Sequence, residues 1–355
     1  MSNYIEYDGK IAFHPGYYIK ELVEDSGLTQ EEFAKRLDTT PKNLSILIRG
    51  EQKLSPEIAI KLSRMLGTSI GYWLNLQTAY DEAIANIESE RMLEEERKIL
   101  SVIGYSYFKD HFNLPDIPRK IDQQVEEVRR FLKVATLVVF EKKDMAVSFR
   151  SSKSNMTDEN IIKANVMVEI ATNMALEINT PKFDKEKFRS LLPEALALTT
   201  SEEDFITKLK GLFNKSGVKL IVLPNIPGSK TNGAVKKVGD SILILVNDRM
   251  RYIDTFWFTL MHEVGHALNG DYGISFEDED GEKESKADLF AEDILIPNDE
   301  YNAFKCGGKF DVDSIMQFSE KINRDPSIIA RRLQHDGMIN FSDRKVQSLR
   351  RKYML

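Results

Sequence analysis

Apolar residues recur at three- and four-residue spacing through the first eighty positions: Ile19, Leu22 and Val23, then Phe33, Ala34 and Leu37, then Leu44, Leu47 and Ile48, then Ile58, Leu62 and Leu66. Each group covers one face of a short helix, and small polar turns separate the groups. Thr29 with Glu32 forms a capping box that opens the second helix, while Pro41 and Pro56 suit the first turn of the helices they begin. Residues 81 to about 145 read as a helical connector. Its stretch Glu88 to Lys98 is a solvated, charged face, Pro115 and Pro118 interrupt it, and Ile121, Val125, Val128 and Leu132 resume a helical stripe. The region 146–200 is mixed, with its best helix over Ile161 to Leu176. Farther on, Ser201 is expected to cap a helix carrying Glu202, Glu203 and Asp204 in its first turn, buried through Phe205, Leu209, Leu212 and Phe213 and stopped by Gly217. Val218–Leu223, Ala234–Val238 and Ile242–Val246 read as short strands, with Gly239-Asp240 as a hairpin turn. A helix over Thr255–Asn269, capped by Asp254, and another over Lys283–Leu295 complete the pattern. The expected fold class is α+β, mostly helical: an all-α N-terminal bundle (1–80), a helical connector (81–145), and a C-terminal domain (146–355, core about 200–340) with a small β-sheet.

A chain of 355 residues holds two to three such domains. The longest apolar stretches, such as Val134 to Phe140 and Ile242 to Val246, are too short to cross a bilayer, so no membrane partner is expected. Met1 to Lys10 lacks the basic-then-apolar order of a signal peptide. Cys306 is the only cysteine, which excludes an intrachain disulfide and a thiolate metal cage and suits a reducing, cytoplasmic setting. The net charge of −7 argues against non-specific coating of nucleic acid. Thr39 to Arg64 is nevertheless locally basic, with Lys42, Arg49, Lys53, Lys61 and Arg64 against Glu51 and Glu57, so any DNA contact has to be local.

The chemistry concentrates in His262-Glu263-Val264-Gly265-His266, an H-E-x-x-H pentad on an expected helix. Residues four apart share one helix face, so both imidazoles can reach one ion. Zinc suits two neutral imidazoles and a carboxylate, with a fourth position left for water. Glu263, beside the histidine pair, is the candidate general base for that zinc-activated water. The third ligand is expected from Phe276 to Glu284, which is rich in carboxylates. Glu277, Asp278, Glu279, Asp280 and Glu282 read as a solvated acidic loop. Glu284 is preferred because it stands on a helix with an apolar back of Ala287, Phe290 and Ala291. Asp288, one turn on, is placed to orient a ligand histidine through its free ring nitrogen. Tyr252, Tyr272 and His335 are candidates for stabilising an oxyanion by residue type alone, with His335 read foremost as a cap near Gly337. His14 and His111 read as ordinary surface or packing residues.

The pentad followed by Glu284-Ser-Lys-Ala287-Asp-Leu-Phe290-Ala291-Glu-Asp-Ile-Leu-Ile-Pro297 resembles the ImmA/IrrE family of zinc metallopeptidases, as do Phe256 to Thr259 and Arg332 to Gly337. The resemblance covers about 200–340. It implies Zn2+ as cofactor, His262, His266 and Glu284 as its ligands, Glu263 as catalytic base, and a repressor or antitoxin as protein substrate. Asn269 and Asp271 stand where a further histidine is common in the family, and Lys286 where a second glutamate often stands. Neither change touches an implied ligand.

Leu28-Thr29-Gln30 to Phe33-Ala34 and Thr40-Pro41-Lys42-Asn43-Leu44-Ser45 to Arg49-Gly50 resemble the helix-turn-helix of XRE-type repressors. With Trp73 to Gln77 they are similar to the antitoxin branch that includes HigA. The second helix of such a motif enters the major groove of double-stranded operator DNA. Thr40, Lys42, Asn43, Ser45 and Arg49 are then candidate contacts to bases or phosphates, and Gln30 matches a backbone-contacting position. Asp38 stands where a turn glycine is frequent, at modest cost because aspartate tolerates the left-handed conformation. Two-fold operators imply a homodimer. The combined expectation is a DNA-binding transcriptional regulator with a fused zinc endopeptidase. The alternative is a non-catalytic, antitoxin-like repressor whose metal domain senses a ligand or binds a toxin.

Overall fold

The computed structural model describes residues 3–142, 157–201, 204–276 and 281–353, and the chain divides into two compact units, Met1–Glu95 and Glu96–Leu355. The division falls inside the stretch 81–145 expected as a connector. Of the acidic loop, residues 277–280 lie outside the described residues, as do 202 and 203. Among the described residues no helix is long and apolar enough to cross a membrane.

Unit 1 opens with a hairpin the periodicity did not predict, β1 (Tyr4–Tyr7) against β2 (Lys10–Phe13). Helices α1 (Pro15–Asp25), α2 (Gln30–Arg36), α3 (Pro41–Ile48) and α4 (Pro56–Leu66) follow, then the start of the 34-residue α5 (Ile70–Ile103). The expected punctuation is present. Thr29 and Glu32 form a reciprocal capping box, and Thr40 and Ser55 cap helices whose first turns hold Pro41 and Pro56. Asp38 adopts φ 52°, the left-handed turn expected of it. The predicted apolar faces converge on one core of Ile19, Phe33, Ala34, Leu37, Leu44, Leu47, Leu62 and Trp73. Gly16 lets α1 cross α3 closely, since a Cβ there would lie 2.0 Å from the Leu47 carbonyl oxygen.

Unit 2 continues with α6 (Tyr105–Phe112), α7 (Ile121–Leu132), α8 (Asp158–Leu176), α9 (Lys185–Ala197) and α10 (Phe205–Asn214). A four-stranded sheet follows, β3 (Val218–Leu223), β4 (Thr231–Val238), β5 (Ser241–Asn247) and β6 (Gly273–Phe276), interrupted between β5 and β6 by α11 (Ile253–Asn269). Helices α12 (Glu282–Leu295), α13 (Asn298–Cys306), α14 (Val312–Ile322), α15 (Pro326–His335) and α16 (Arg344–Gln347) close the chain. The sheet order is β3-β5-β4-β6, with β3 parallel to β5 and the other pairs antiparallel. Alternation along the strands assigns its two faces. Gly233 of β4 meets Glu263 of α11, whereas Lys236 donates to Thr172 and Lys219 to the Ala175 carbonyl, both on α8. With α11 on one face and α8 on the other, β3 and β5 are buried throughout, which explains their unbroken apolar runs.

Three expectations need correction. Ser201 does not cap α10: Asp204, at φ 46°, precedes the helix without a side-chain cap, which leaves Ser201 too far upstream to reach the first free N–H groups. Asp254 does not cap α11; the helix begins two residues earlier than expected, at Ile253, and Asp254 is buried in its first turn, 2.8 Å from Arg350 Nη2. The strand expected from Ala234 starts at Thr231 and continues through a bulge between Thr231 and Gly233, and β6 had no sequence signal of its own.

Candidate metal centre and helix-turn-helix face

His262, Glu263 and His266 stand on α11, Glu284 and Asp288 on α12, and the two helices pack tightly. Gly265 makes the approach possible: a Cβ there would sit 3.0 Å from Phe290 Cδ1 and 3.4 Å from Ala287 Cα. The apolar back of α12 faces α11, so Glu284 points inward.

The three expected ligands converge. His262 Nε2 and His266 Nε2 are 3.0 Å apart, Glu284 Oε2 is 3.0 Å from His262 Nε2, and Glu284 Oε1 is 3.3 Å from His266 Nε2. Tetrahedral ligands at zinc bond lengths lie about 3.3 Å from one another, so the donor set fits such an ion. His262, His266 and Glu284 are also the one group of three or more such side chains among the described residues whose ligand atoms gather within 4.8 Å. Behind them His262 Nδ1 lies 2.8 Å from Asp288 Oδ1. A carboxylate only accepts, so Nδ1 carries the proton and Nε2 turns its lone pair to the centre. Burial disfavours the charged imidazole, but the hydrogen bonds to Asp288 and Glu284, aided by the Glu263 charge, outweigh it and push His262 up to about 10.

Glu263 is fully buried against β4. A Cβ on Gly233 would come within 2.6 Å of Glu263 Oε1, 2.7 Å of Cγ and 2.8 Å of Cδ. The carboxylate is thus cradled by the Gly233 backbone at the strand's bulge, where Asn232 is the extra residue. A lone glycine in a strand can mark such a close approach, but the expected strand began one residue after it.

A cleft of about 340 Å³ opens over the centre, walled by Asn232, Asn247, Thr259, Ser275, His262, Glu284 and Arg331 among others. Ser275 Oγ on β6 is 3.5 Å from His262 Nε2. Of the oxyanion candidates, Tyr252 and Tyr272 do not line the cleft. Tyr252 precedes α11 with its ring under Arg350. His335 borders a neighbouring cavity, and the helix-ending position expected of it belongs to Asp336. Lys286 pairs with Glu282 on the exposed side of α12.

In unit 1, Thr40, Lys42, Asn43 and Arg49 are exposed along α3 and its ends, with Ser45 half-buried between them; Gln30 begins α2, also half-buried. Two of them have local work. Thr40 Oγ1 accepts from the Asn43 N–H at 3.1 Å. Arg49 makes a two-point pair with Glu51, at 2.8 and 2.9 Å, and donates to Ser45 Oγ at 2.6 Å. Lys42 is the candidate best presented for a new contact.

Residues 19–73 match the helix-turn-helix family, and residues 221–325 match the peptidase M78 family, described as the IrrE N-terminal-like domain. An uncharacterised HTH-type transcriptional regulator of Escherichia coli (strain K12), YddM, is 38% identical over 90 residues, 25% of this chain and 92% of that protein. Virulence-associated protein I of Dichelobacter nodosus is 29% identical over 93 residues, 26% of this chain and 79% of that protein. A solved addiction module antidote protein of a HigA family from Coxiella burnetii is 28% identical and aligns with a TM-score of 0.22 over 24% of this chain and 92% of its own. The chain belongs to the XRE-type helix-turn-helix family through its N-terminal unit and carries, fused behind it, a peptidase M78 domain of the IrrE type.

Proposed function

We propose that the protein is a DNA-binding transcriptional regulator whose fused domain is a zinc-dependent endopeptidase. The observation that carries this reading is the convergence of His262, His266 and Glu284 beside a buried Glu263, at the floor of an open cleft. When bound, zinc supplies the Lewis acidity that activates water and polarises a peptide carbonyl. Glu263, held against Gly233, takes the proton of the attacking water and returns it to the leaving amide nitrogen. Asp288 keeps His262 in the tautomer and orientation a ligand needs. Ser275 and Asn232 line the cleft as hydrogen-bonding partners for a peptide. The proposed substrate is a repressor or antitoxin protein, a choice suggested by the fusion of a peptidase domain to a regulator domain.

The test compares full-length wild type with Glu263→Gln for zinc content and for cleavage of co-expressed regulator proteins. Equal zinc content with cleavage by wild type alone is the expected result. Equal zinc content with no cleavage by either chain in an unbiased proteomic screen would sink the peptidase and favour the non-catalytic repressor, whose partner would then be a toxin or a ligand.

For unit 1, the proposed interface is α3 in a major groove of the chain's own operator, with Gln30 on the phosphate backbone and two copies of the chain on a two-fold site. Lys42→Ala is expected to weaken operator binding similarly across sequences and to reduce the salt slope by about one. Unchanged binding in a salt titration would count against α3.

A further inference from the structure

A second cavity of about 240 Å³ adjoins the metal cleft and shares Phe258, Asp288 and Arg331 with it. Three arginines near Arg331 are matched to carboxylates. Arg332 binds Glu292 at 2.9 Å and Asp336 at 3.1 Å, Arg351 binds Asp325 at 2.6 Å, and Arg350 binds Asp254 at 2.8 Å. Arg331 has no such close partner. Its nearest carboxylate oxygen, Asp254 Oδ2, is 3.8 Å away and already bound by Arg350. Its one hydrogen bond among the described residues runs from Nη1 to Thr255 Oγ1, at 2.7 Å, and the Phe258 ring lies beneath it with its centroid 5.4 Å away.

A guanidinium offers five N–H donors in a rigid fork and keeps its charge even where burial opposes it, as it does at Arg331. Two guanidinium groups thus share the single carboxylate of Asp254, and Arg331, on the wall of the metal cleft, is the more distant of the two. Most of the Arg331 donors stay uncommitted on the boundary between the two cavities. Thr255 and Phe258 hold the head in place in advance, so little side-chain freedom is lost when an anion arrives. Beyond it Leu295, Ile296 and Ile328 supply apolar lining for an aliphatic stem.

We propose that Arg331 is the carboxylate anchor of this cleft, binding an acidic group of a peptide close to the bond presented to Glu263. The carboxylate comes from an Asp or Glu side chain or from a peptide C-terminus. This inference rests on the peptidase reading, and its test separates the two. Zinc-loaded, full-length Glu263→Gln is titrated with fluorescein-labelled octapeptides that differ only in Glu against Gln, each with a free or an amidated C-terminus. Metal-stripped wild type serves as a second non-cleaving platform should that variant misfold. The expected result is binding of one carboxylate form on the order of tenfold tighter than its neutral counterpart, as for a charge-assisted pair in a partly exposed site. Adding Arg331→Gln, with folding checked by circular dichroism, should bring the two within about twofold. A preference tied to the side chain or to the free terminus identifies which carboxylate is read. Equal affinities, a preference that survives Arg331→Gln, or no binding on either platform would overturn the anchor. Cleavage of acidic and neutral peptides alike by wild type would overturn the anchor and retain the peptidase. Arg331-dependent selective binding without any cleavage would retain the anchor and sink the peptidase.

Discussion

Glu263 presses on the backbone of Gly233 with no room for a methyl group between them, so Gly233→Ala must move the carboxylate or the strand. Displacing a proton acceptor by about 1 Å costs on the order of 10²-fold in rate. We expect Gly233→Ala to keep its zinc stoichiometry while kcat falls by about that factor with KM little changed; metal analysis beside steady-state kinetics checks both. Asp288→Asn keeps the shape but weakens the hydrogen bond that orients His262, and about 10- to 100-fold weaker zinc binding is expected from competition with a chromogenic chelator. His14 shows a different consequence of burial. Its Nδ1 accepts the Gly16 N–H at 2.9 Å, its ring meets Tyr80 edge-on, and burial holds it below its ordinary value of 6.5 despite a backbone bond with Gln52 and the charge of Asp81. As pH falls below 6.5 the unfolded chain takes up this proton more readily than the folded one, so unit 1 loses stability as pH falls and regains it as pH rises. His14→Asn, which keeps a capping acceptor, should flatten the dependence of the unit 1 unfolding midpoint between pH 7 and 5.5. An unchanged slope would remove His14 from the account.

At the level of elements, the candidate metal centre depends on how closely α11 and α12 approach. Gly265 leaves just enough space for Phe290 and Ala287, and Glu284 reaches the histidines only from that distance. Glycine inside a helix costs about 1 kcal/mol relative to alanine, a local loss that serves the packing. Gly265→Val should push the helices apart and lower zinc affinity more than Asp288→Asn does, although every ligand is intact. Isothermal titration with zinc measures this, and wild-type affinity in Gly265→Val would refute the packing argument.

For the molecule as a whole, the two units carry separate cores and one tryptophan each, Trp73 buried in unit 1 and Trp257 in unit 2. On the proposed zinc reading, a chelator withdraws a ligand from unit 2 alone, and loss of a ligand that binds the folded state lowers apparent stability. The fluorescence transition of a Trp73→Phe chain, which reports Trp257, should shift to lower temperature on chelation. The transition of a Trp257→Phe chain, which reports Trp73, should not move.

The local signals of this chain were readable because they are chemical and short in range. The Thr29–Glu32 box, the helix-opening Pro41 and Pro56, the turn at Asp38 and the one-face spacing of His262 and His266 each depend on neighbours within a few positions. That is where side-chain to backbone hydrogen bonds and helical periodicity act. Glu284 could be preferred over the acids before it because the apolar back of α12 fixes a direction. What needed tertiary structure was every feature made by residues distant in sequence. Strand β6 is four residues long and exists because β4 offers it an edge. Asp254 looks like a helix cap until Arg350, almost a hundred positions away, claims its charge. Gly233 matters only through its contact with Glu263, and Arg331 stands out only once its neighbours are seen to be paired. Sequence by itself determined which groups were available and which helices would present them; the packing of α11 against α12 and β4 decided which of those groups meet.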